Sequence, residues 1–334
     1  MTEPQYDVLA IGNAIVDVIA RAEEDFLMAL GMHKGAMTLI DEARARSIYD
    51  AMGPAVEISG GSAANTAAGV ASLGGRAAFI GKVKDDELGR VFAHDIRAAG
   101  VAFASPPALN GPATARCYIL VTPDGERTLN TYLGAAQNLG RVDIDTTTVA
   151  AAAITYLEGY LWDPRDAKDA FLKAAASAHA AARLVALTLS DAFCVDRWRE
   201  EFLQLVRGGT IDLLLANESE LRSLYQTADF DTALAALRAD AKLAVVTRSE
   251  KGCVVVSGPQ THEVAAFPIE RIVDTTGAGD LFAAGFLFGL ARGNDLAVAA
   301  RIGALAAAEV IQHIGARPQS SLKALAQQHG LPID

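Results

Sequence analysis

The chain has 334 residues, 51% of them hydrophobic and 21% charged, a globular balance that excludes a wholly disordered polymer. Its formal net charge of −11 argues against nucleic acid or anionic membrane as the main partner, although local amides or cations can still hold a small anion. Cys117, Cys194 and Cys253 lie far apart without CxxC spacing and are expected as free thiols in a reducing compartment; the six histidines are scattered and give no zinc pattern.

The amino end, MTEPQYDVLAIG, has no basic segment leading into an apolar one, so no signal peptide is expected and the cytoplasm is the expected location. Residues 7–12 open a series of short apolar runs, continued at 77–83, 153–161, 182–190, 211–219 and 243–252, each trailed by a helical pattern. Such strands predict an α/β fold, a mostly parallel sheet flanked by helices on both faces. Just after the first run, GNAIVD puts Asn13 and Asp17 at a strand end, where an aspartate either accepts from two hydroxyls or caps a turn. Residues 13–40 and 112–134 break the rhythm and read as β-rich, the second with a hairpin signal in TPDGER. They are expected to meet as a small sheet on a single domain spanning 1–334, as a lid over a ligand or as an inert edge extension. Between them, GGSAANTAAGVASLGG (60–75) enters a helix through two glycines. Gly60 and Gly61 allow close approach of backbone to a ligand, and the Asn65 amide suits vicinal hydroxyls. A further helix is predicted with Asp85 as N-cap, Leu88, Val91, Phe92 and Ile96 on one face, and Gly100 as its stop.

In NESE, Asn217 and Glu220 stand three apart at a helix start. Two readings stay open: oxygen ligands for Mg²⁺ held mostly through water, or an N-cap with a first-turn acid. In DTTGAGDLFAAGFLFGL (274–290), Gly277, Ala278 and Gly279 lead into a helix that starts near Asp280, and the apolar run 281–291 is too short to span a bilayer. Consecutive unobstructed amides at a positive helix end make an anion cradle suited to a transferring phosphoryl group. Asp280 at its mouth reads as a plain N-cap or as a general base, and the glycines on both sides of Ala278 favour the base. Other nucleotide motifs fail. FIGKV has Arg76 and Val83 where the P-loop needs Gly and Ser/Thr, neither HRD nor DFG occurs, and GAGDLF has Phe282 where the dinucleotide fingerprint needs a third glycine.

Taken in order, GNAIVD, GGSAANTAAGVASLGGRAAFIGKVKDDELG, NESE, VVTRSEKG and DTTGAGDLFAAGFL resemble the ribokinase (PfkB-type) carbohydrate and nucleoside kinase family over nearly the whole chain. The resemblance implies a Rossmann-like core with a small β-lid, ATP and Mg²⁺, and a primary alcohol as phosphoryl acceptor. It implies Asp280 as base and the amides of Gly277, Ala278 and Gly279 as anion hole. Asp17, Gly61 and Asn65 would hold sugar hydroxyls with Asn13 close by. Asn217 and Glu220 would organise Mg²⁺ and phosphates, and Thr247 and Gly252 would border the ATP base and ribose. It also implies a monovalent cation such as K⁺ between the loop before the hole and GARPQ (315–319).

Within the family the chain is most similar to members acting on purine nucleosides, adenosine foremost. GERTLNTYLGAA resembles their lid segment, with Arg127 reaching the phosphates and the Leu133 end touching the nucleoside. EGYLW (158–162) falls where they stack a base, here through Tyr160, Leu161 or Trp162. Thr276, where they often have Asn, and Gly134, where alanine is common, keep other nucleosides or a free sugar (ribose, fructose or a keto-sugar acid) open. Small molecules are the expected partners, and the chain is expected as a monomer or homodimer.

Overall fold

The computed structural model describes residues 3–333, and each of the six apolar runs forms a strand. They belong to a nine-stranded sheet ordered Gln260–Val264, Cys253–Ser257, Leu243–Thr247, Leu213–Asn217, Leu184–Thr188, Ala152–Glu158, Tyr6–Ile11, Ala77–Ile80 and Val101–Phe103. Pairing is parallel except at the hairpin edge formed by the first two. Successive residues of a strand point to opposite faces, so Val8 and Ala10 enter one core while Leu9 and Ile11 enter the other. A strand that fills two cores has to be apolar throughout, which explains the unbroken runs.

From Tyr6–Ile11 the chain builds outward in both directions, first through Ala77–Ile80 and later through Ala152–Glu158. The strand order therefore reverses between Tyr6–Ile11 and Ala152–Glu158, and a crevice opens beyond their carboxyl ends.

A second sheet, ordered Met37–Leu39, Arg127–Tyr132, Ala115–Val121, Ile15–Arg21 and Ala55–Gly60, unites the two irregular segments. Their hairpin turns as TPDGER predicts, with the Gly125 N–H donating to the Thr122 carbonyl at 2.8 Å. The sheet extends beyond the expected segments, because Ala55–Gly60 also joins it and the helices Glu24–Ala29 and Glu42–Ala51 lie between its strands. Ala55 and Val56 are exposed on this edge strand, so it lacks the apolar alternation that would have revealed it.

The helix expected after Asp85 spans Glu87–Ala98 and is capped by Asp86, whose Oδ1 accepts from the Gly89 N–H at 2.8 Å. Asp86 also accepts from the Thr114 hydroxyl at 2.6 Å, and this tertiary bond selects it over Asp85. All three cysteines are free and buried. Among the described residues no helix is long and apolar enough to cross a membrane.

The helix Ala278–Ala291 is buried on every face from Leu281 to Gly289, between the helices Ser62–Ser72 and Leu296–Val310. Small residues set its distance from both. A Cβ on Gly69 would lie 2.6 Å from the Ala284 Cβ, and one on Gly285 would lie 2.6 Å from the Gly303 Cα. Main chain cannot yield there without moving a helix, so Gly285→Ala is expected to cost about 1–3 kcal/mol. In urea denaturation its midpoint should fall well below that of Gly53→Ala, where nothing lies within 4 Å of the added carbon. Equal midpoints for the two variants would contradict this packing.

Candidate active site

One cavity of about 610 Å³ opens at the carboxyl ends of the parallel strands, with the second sheet forming part of its wall. Asn13 follows the first strand, Glu158 and Asn217 end two others, and Thr247 ends the strand beside Asn217. Ile119, Leu129 and Leu133 reach the cavity from the second sheet and its exit.

Asp280 is the third residue of its helix, and Gly277 occupies the cap position with φ +80°. The plain-cap alternative therefore falls. The Asp280 carboxylate instead faces the other helix start, accepting from Ser62 Oγ at 2.7 Å and from Asn65 Nδ2 at 3.0 Å. Arg317 Nε donates to Asn65 Oδ1 at 2.8 Å, so the Asn65 amide is held at both ends. Enclosure by protein raises the Asp280 pKa, while Ser62, Asn65 and Arg317 pull it back. The same enclosure lowers that of Arg317 against the pull of Asp95, Asp17 and Asp280.

Gly277 and Gly279 line the cavity, whereas the Ala278 N–H donates back to the Thr275 carbonyl at 3.2 Å. Among the described residues, Ala278 is thus the one of the three cradle amides with a main-chain acceptor. Gly61 has φ +96°, and a Cβ there would sit 2.3 Å from the Asn13 carbonyl oxygen. Gly60 does not line the cavity; it leaves room for Asp17, whose Oδ2 would lie 2.4 Å from a Cβ on Gly60. Burial pushes Asp17 up to about 6, with Arg127 and Arg317 opposing and Asp280 adding to the rise.

Arg127 forms an ion pair with Asp274, in the loop before the cradle, and the two side chains are only 8% and 7% exposed. Among the described residues its Nε has no partner. Asp274 also accepts from the Gly315 and Thr276 N–H groups at 3.0 and 2.9 Å, joining the two loops implied for a monovalent cation. Asp274 is the one carboxylate in 274–277 and 315–319, and it already carries a guanidinium.

Asn217 caps the helix Glu218–Tyr225 in a reciprocal box with Glu220. Asn217 Oδ1 accepts from the Glu220 N–H at 2.8 Å, while Glu220 accepts from the Asn217 N–H and Nδ2 at 2.9 and 2.6 Å. The cap reading is therefore realised, yet both residues also line the cavity. Burial pushes Glu220 up to about 7, helped by nearby Asp191. Among the described residues no cation pairs with Glu220, and such a desolvated carboxylate fits Mg²⁺ held through water. Among the described residues no group of three or more His, Cys, Asp or Glu can hold a metal by itself.

Thr247 lines the cavity and an adjoining groove that runs to Lys251. Gly252, with φ +84°, lies outside both linings and closes the turn after Thr247, accepting from the Arg248 N–H at 2.7 Å. Of the three candidates for base stacking, only Tyr160 faces the cavity. Leu161 and Trp162 are buried at 1% and 4% exposure in the core shared with Phe171 and Phe202, because the short 3₁₀ turn Gly159–Trp162 directs them inward.

Sequence reasoning missed Ser62, Glu158, Asp274 and Arg317. Glu158 carried the same signal as Asp280, a single charge inside an apolar run. It is 1% exposed, and burial pushes it up to about 7 against the N–H groups of Ala63 and Asn13.

The family model described as pfkB family carbohydrate kinase matches residues 44–323. The structure of adenosine kinase from Sinorhizobium meliloti is 57% identical, with TM-score 0.90 over 97% of this chain and 99% of that one. A probable sugar kinase from Rhizobium etli CFN 42 is 53% identical, with TM-score 0.92 over 98% of this chain and 100% of that one. The adenosine kinase of Saccharomyces cerevisiae is 28% identical over 337 residues, 94% of this chain and 96% of that protein.

Asp17, Glu158 and Glu220 are all pushed above their ordinary values, so their charged forms cost stability that protonation restores. That cost is fully present only above about pH 8 and is relieved as pH falls through the folded pKa values of about 6 to 7 toward the unfolded ones near 4. Denaturant midpoints should therefore rise as pH is lowered from about 8 to about 5, and Asp17→Asn should flatten part of that rise. A midpoint that falls steadily over this range, or an unaltered slope in Asp17→Asn, would contradict the assignment.

Proposed function

The chain belongs to the pfkB family of carbohydrate kinases and phosphorylates a hydroxyl group, and we propose that its acceptor is the 5′-hydroxyl of a purine nucleoside, adenosine, with ATP as donor. The observation that carries this reading is the mixed lining of one cavity. Tyr160 and the apolar side chains of Leu39, Ile119, Leu129 and Leu133 share it with Asp17 and Asn65. A nucleoside has a flat apolar base for the first group and hydroxyls for the second, whereas a free sugar leaves the apolar wall without a partner. The 57% identity to the Sinorhizobium meliloti adenosine kinase supports the same choice.

In this reading the 5′-oxygen bonds to the γ-phosphorus as its proton passes to Asp280. The bond from that phosphorus to the bridging oxygen of ADP breaks, giving a phosphate monoester and ADP. A carboxylate enclosed by protein holds a proton more tightly than an exposed one, which suits a base. The Gly277 and Gly279 amides on the cavity wall meet the charge that develops on the phosphoryl oxygens, and Arg127, outside the lining and paired with Asp274, joins them only by leaving that pair. Asn217 and Glu220 would hold Mg²⁺ through water, and the ion supplies neutralisation of the phosphates. The second sheet acts as a lid that keeps water from the phosphoryl group.

The 53% identity to a probable sugar kinase makes a free sugar the competing acceptor. A panel of adenosine, inosine, guanosine, ribose and fructose, each with ATP and Mg²⁺, separates the two by release of ADP. Adenosine is expected to give a kcat/KM at least about 10²-fold above any free sugar, because a sugar forfeits the base contacts. Turnover with free sugars alone would overturn the nucleoside reading.

A further inference from the structure

Glu158 takes no part in the proton transfer, yet it lies at the centre of the crevice. It ends the strand Ala152–Glu158 beside Tyr6–Ile11, where the strand order reverses. Its Oε1 accepts from the Asn13 side-chain Nδ2 at 2.6 Å and from the Asn13 main-chain N–H at 3.3 Å. Its Oε2 accepts from the Ala63 N–H at 2.9 Å. One carboxylate thus ties the turn after the first strand to the start of the helix Ser62–Ser72, and both pieces carry residues of the cavity wall. A Cβ on Gly12 would lie 2.3 Å from Oε2, so the close approach depends on that glycine.

The chemistry of the three donors has a consequence for Asn13. Main-chain N–H groups of Asn13 and Ala63 donate to Oε1 and Oε2, so the carboxyl group accepts at both oxygens and the Asn13 amide turns its NH₂ toward Oε1. Its oxygen is left for the cavity, which Asn13 lines, and among the described residues nothing donates to Asn13 Oδ1. An untethered amide can present either end to a ligand. We infer that Glu158 is a positioning residue that locks the Asn13 amide with its oxygen toward the phosphoryl acceptor, selecting acceptors that bring an O–H or N–H donor to that point. A glutamine at 158 would offer one oxygen and one NH₂ to three N–H donors. Either two donors then face each other, or Asn13 flips and shows its NH₂ to the substrate. Holding a carboxyl group here is costly to the fold, since burial drives its pKa to about 7, and a purely structural tie does not require that cost.

The inference rests on the proposed function only in needing an acceptor whose turnover can be followed; if the panel selects a sugar, that sugar is used. The test is a double-mutant cycle on the full chain with Glu158→Gln, Asn13→Ala and both together, varying acceptor and ATP separately. Glu158→Gln is expected to raise the acceptor KM about tenfold or more, the scale of one well-placed hydrogen bond, with the ATP KM within about twofold and kcat changed less than KM. In the Asn13→Ala background the same substitution should change the acceptor KM by less than about twofold, because the amide it orients is gone. If Glu158→Gln does not fold, Glu158→Asp replaces it in the cycle. That shorter acid holds the amide less well, and is expected to raise the acceptor KM about threefold and to lose this effect in the Asn13→Ala background. Effects that multiply in the double variant, or acceptor and ATP KM values that rise together, would overturn the positioning role and leave Glu158 as a scaffold residue. An acceptor panel without any turnover would instead overturn the nucleoside-kinase reading itself.

Discussion

The structure is organised around a carboxylate held away from bulk water at the amino end of a helix that is apolar on every face. Burying a charge is unfavourable unless polar groups meet it, and here they come from distant parts of the chain. Ser62 and Asn65 bond Asp280 directly, Arg317 fixes Asn65, and Arg317 Nη2 also donates to Ser59 Oγ at 3.0 Å. Ser59 in turn donates to Asp95 from its main-chain N–H and its hydroxyl at 2.7 and 2.6 Å. A strand of the second sheet, the 62–72 and 87–98 helices and a carboxyl-terminal loop are thus all tied to one acid.

That network explains why the helix behind Asp280 is so tightly packed. If Asp280 is the proposed base, it must stand within hydrogen-bond reach of its proton, and the helix end that carries it cannot drift. Gly285 and Gly303 bring the helix into main-chain contact with Leu296–Val310, Gly69 admits its Ala284 and Leu281 side chains against Ser62–Ser72, and its phenylalanines and leucines fill the surrounding core. Stability gained in that core offsets the cost of carboxylates clustered around the cavity. Arg127, reaching from the second sheet to Asp274, extends the same logic by tying the cavity's other wall to the loop that forms the cradle.

Much of this was legible in the sequence because it depends on local pattern. Strands buried on both faces have to be continuous apolar runs, and the glycine-rich turn before the apolar run 281–291 marks a helix start, which the structure places on the cavity wall. What escaped depends on tertiary contact. Ala55–Gly60 is a half-exposed edge strand with no periodic signature, and the choice of Asp86 over Asp85 as cap is made by Thr114 from another segment. EGYLW offered three residues for one wall, and only the turn Gly159–Trp162 decides that Tyr160 faces the cavity while Leu161 and Trp162 enter the core. Arg317 and Glu158 act on partners far away in the chain, so spacing says nothing about them.

In the proposed reaction Asp280 acts as a base rather than as a structural acid. The direct measurement is single-turnover phosphoryl transfer by Asp280→Asn, with acceptor binding followed separately by calorimetry. The account predicts a transfer rate lowered about 10²- to 10⁴-fold, with acceptor affinity and the denaturation midpoint largely kept. A transfer rate near that of the unsubstituted chain would contradict it.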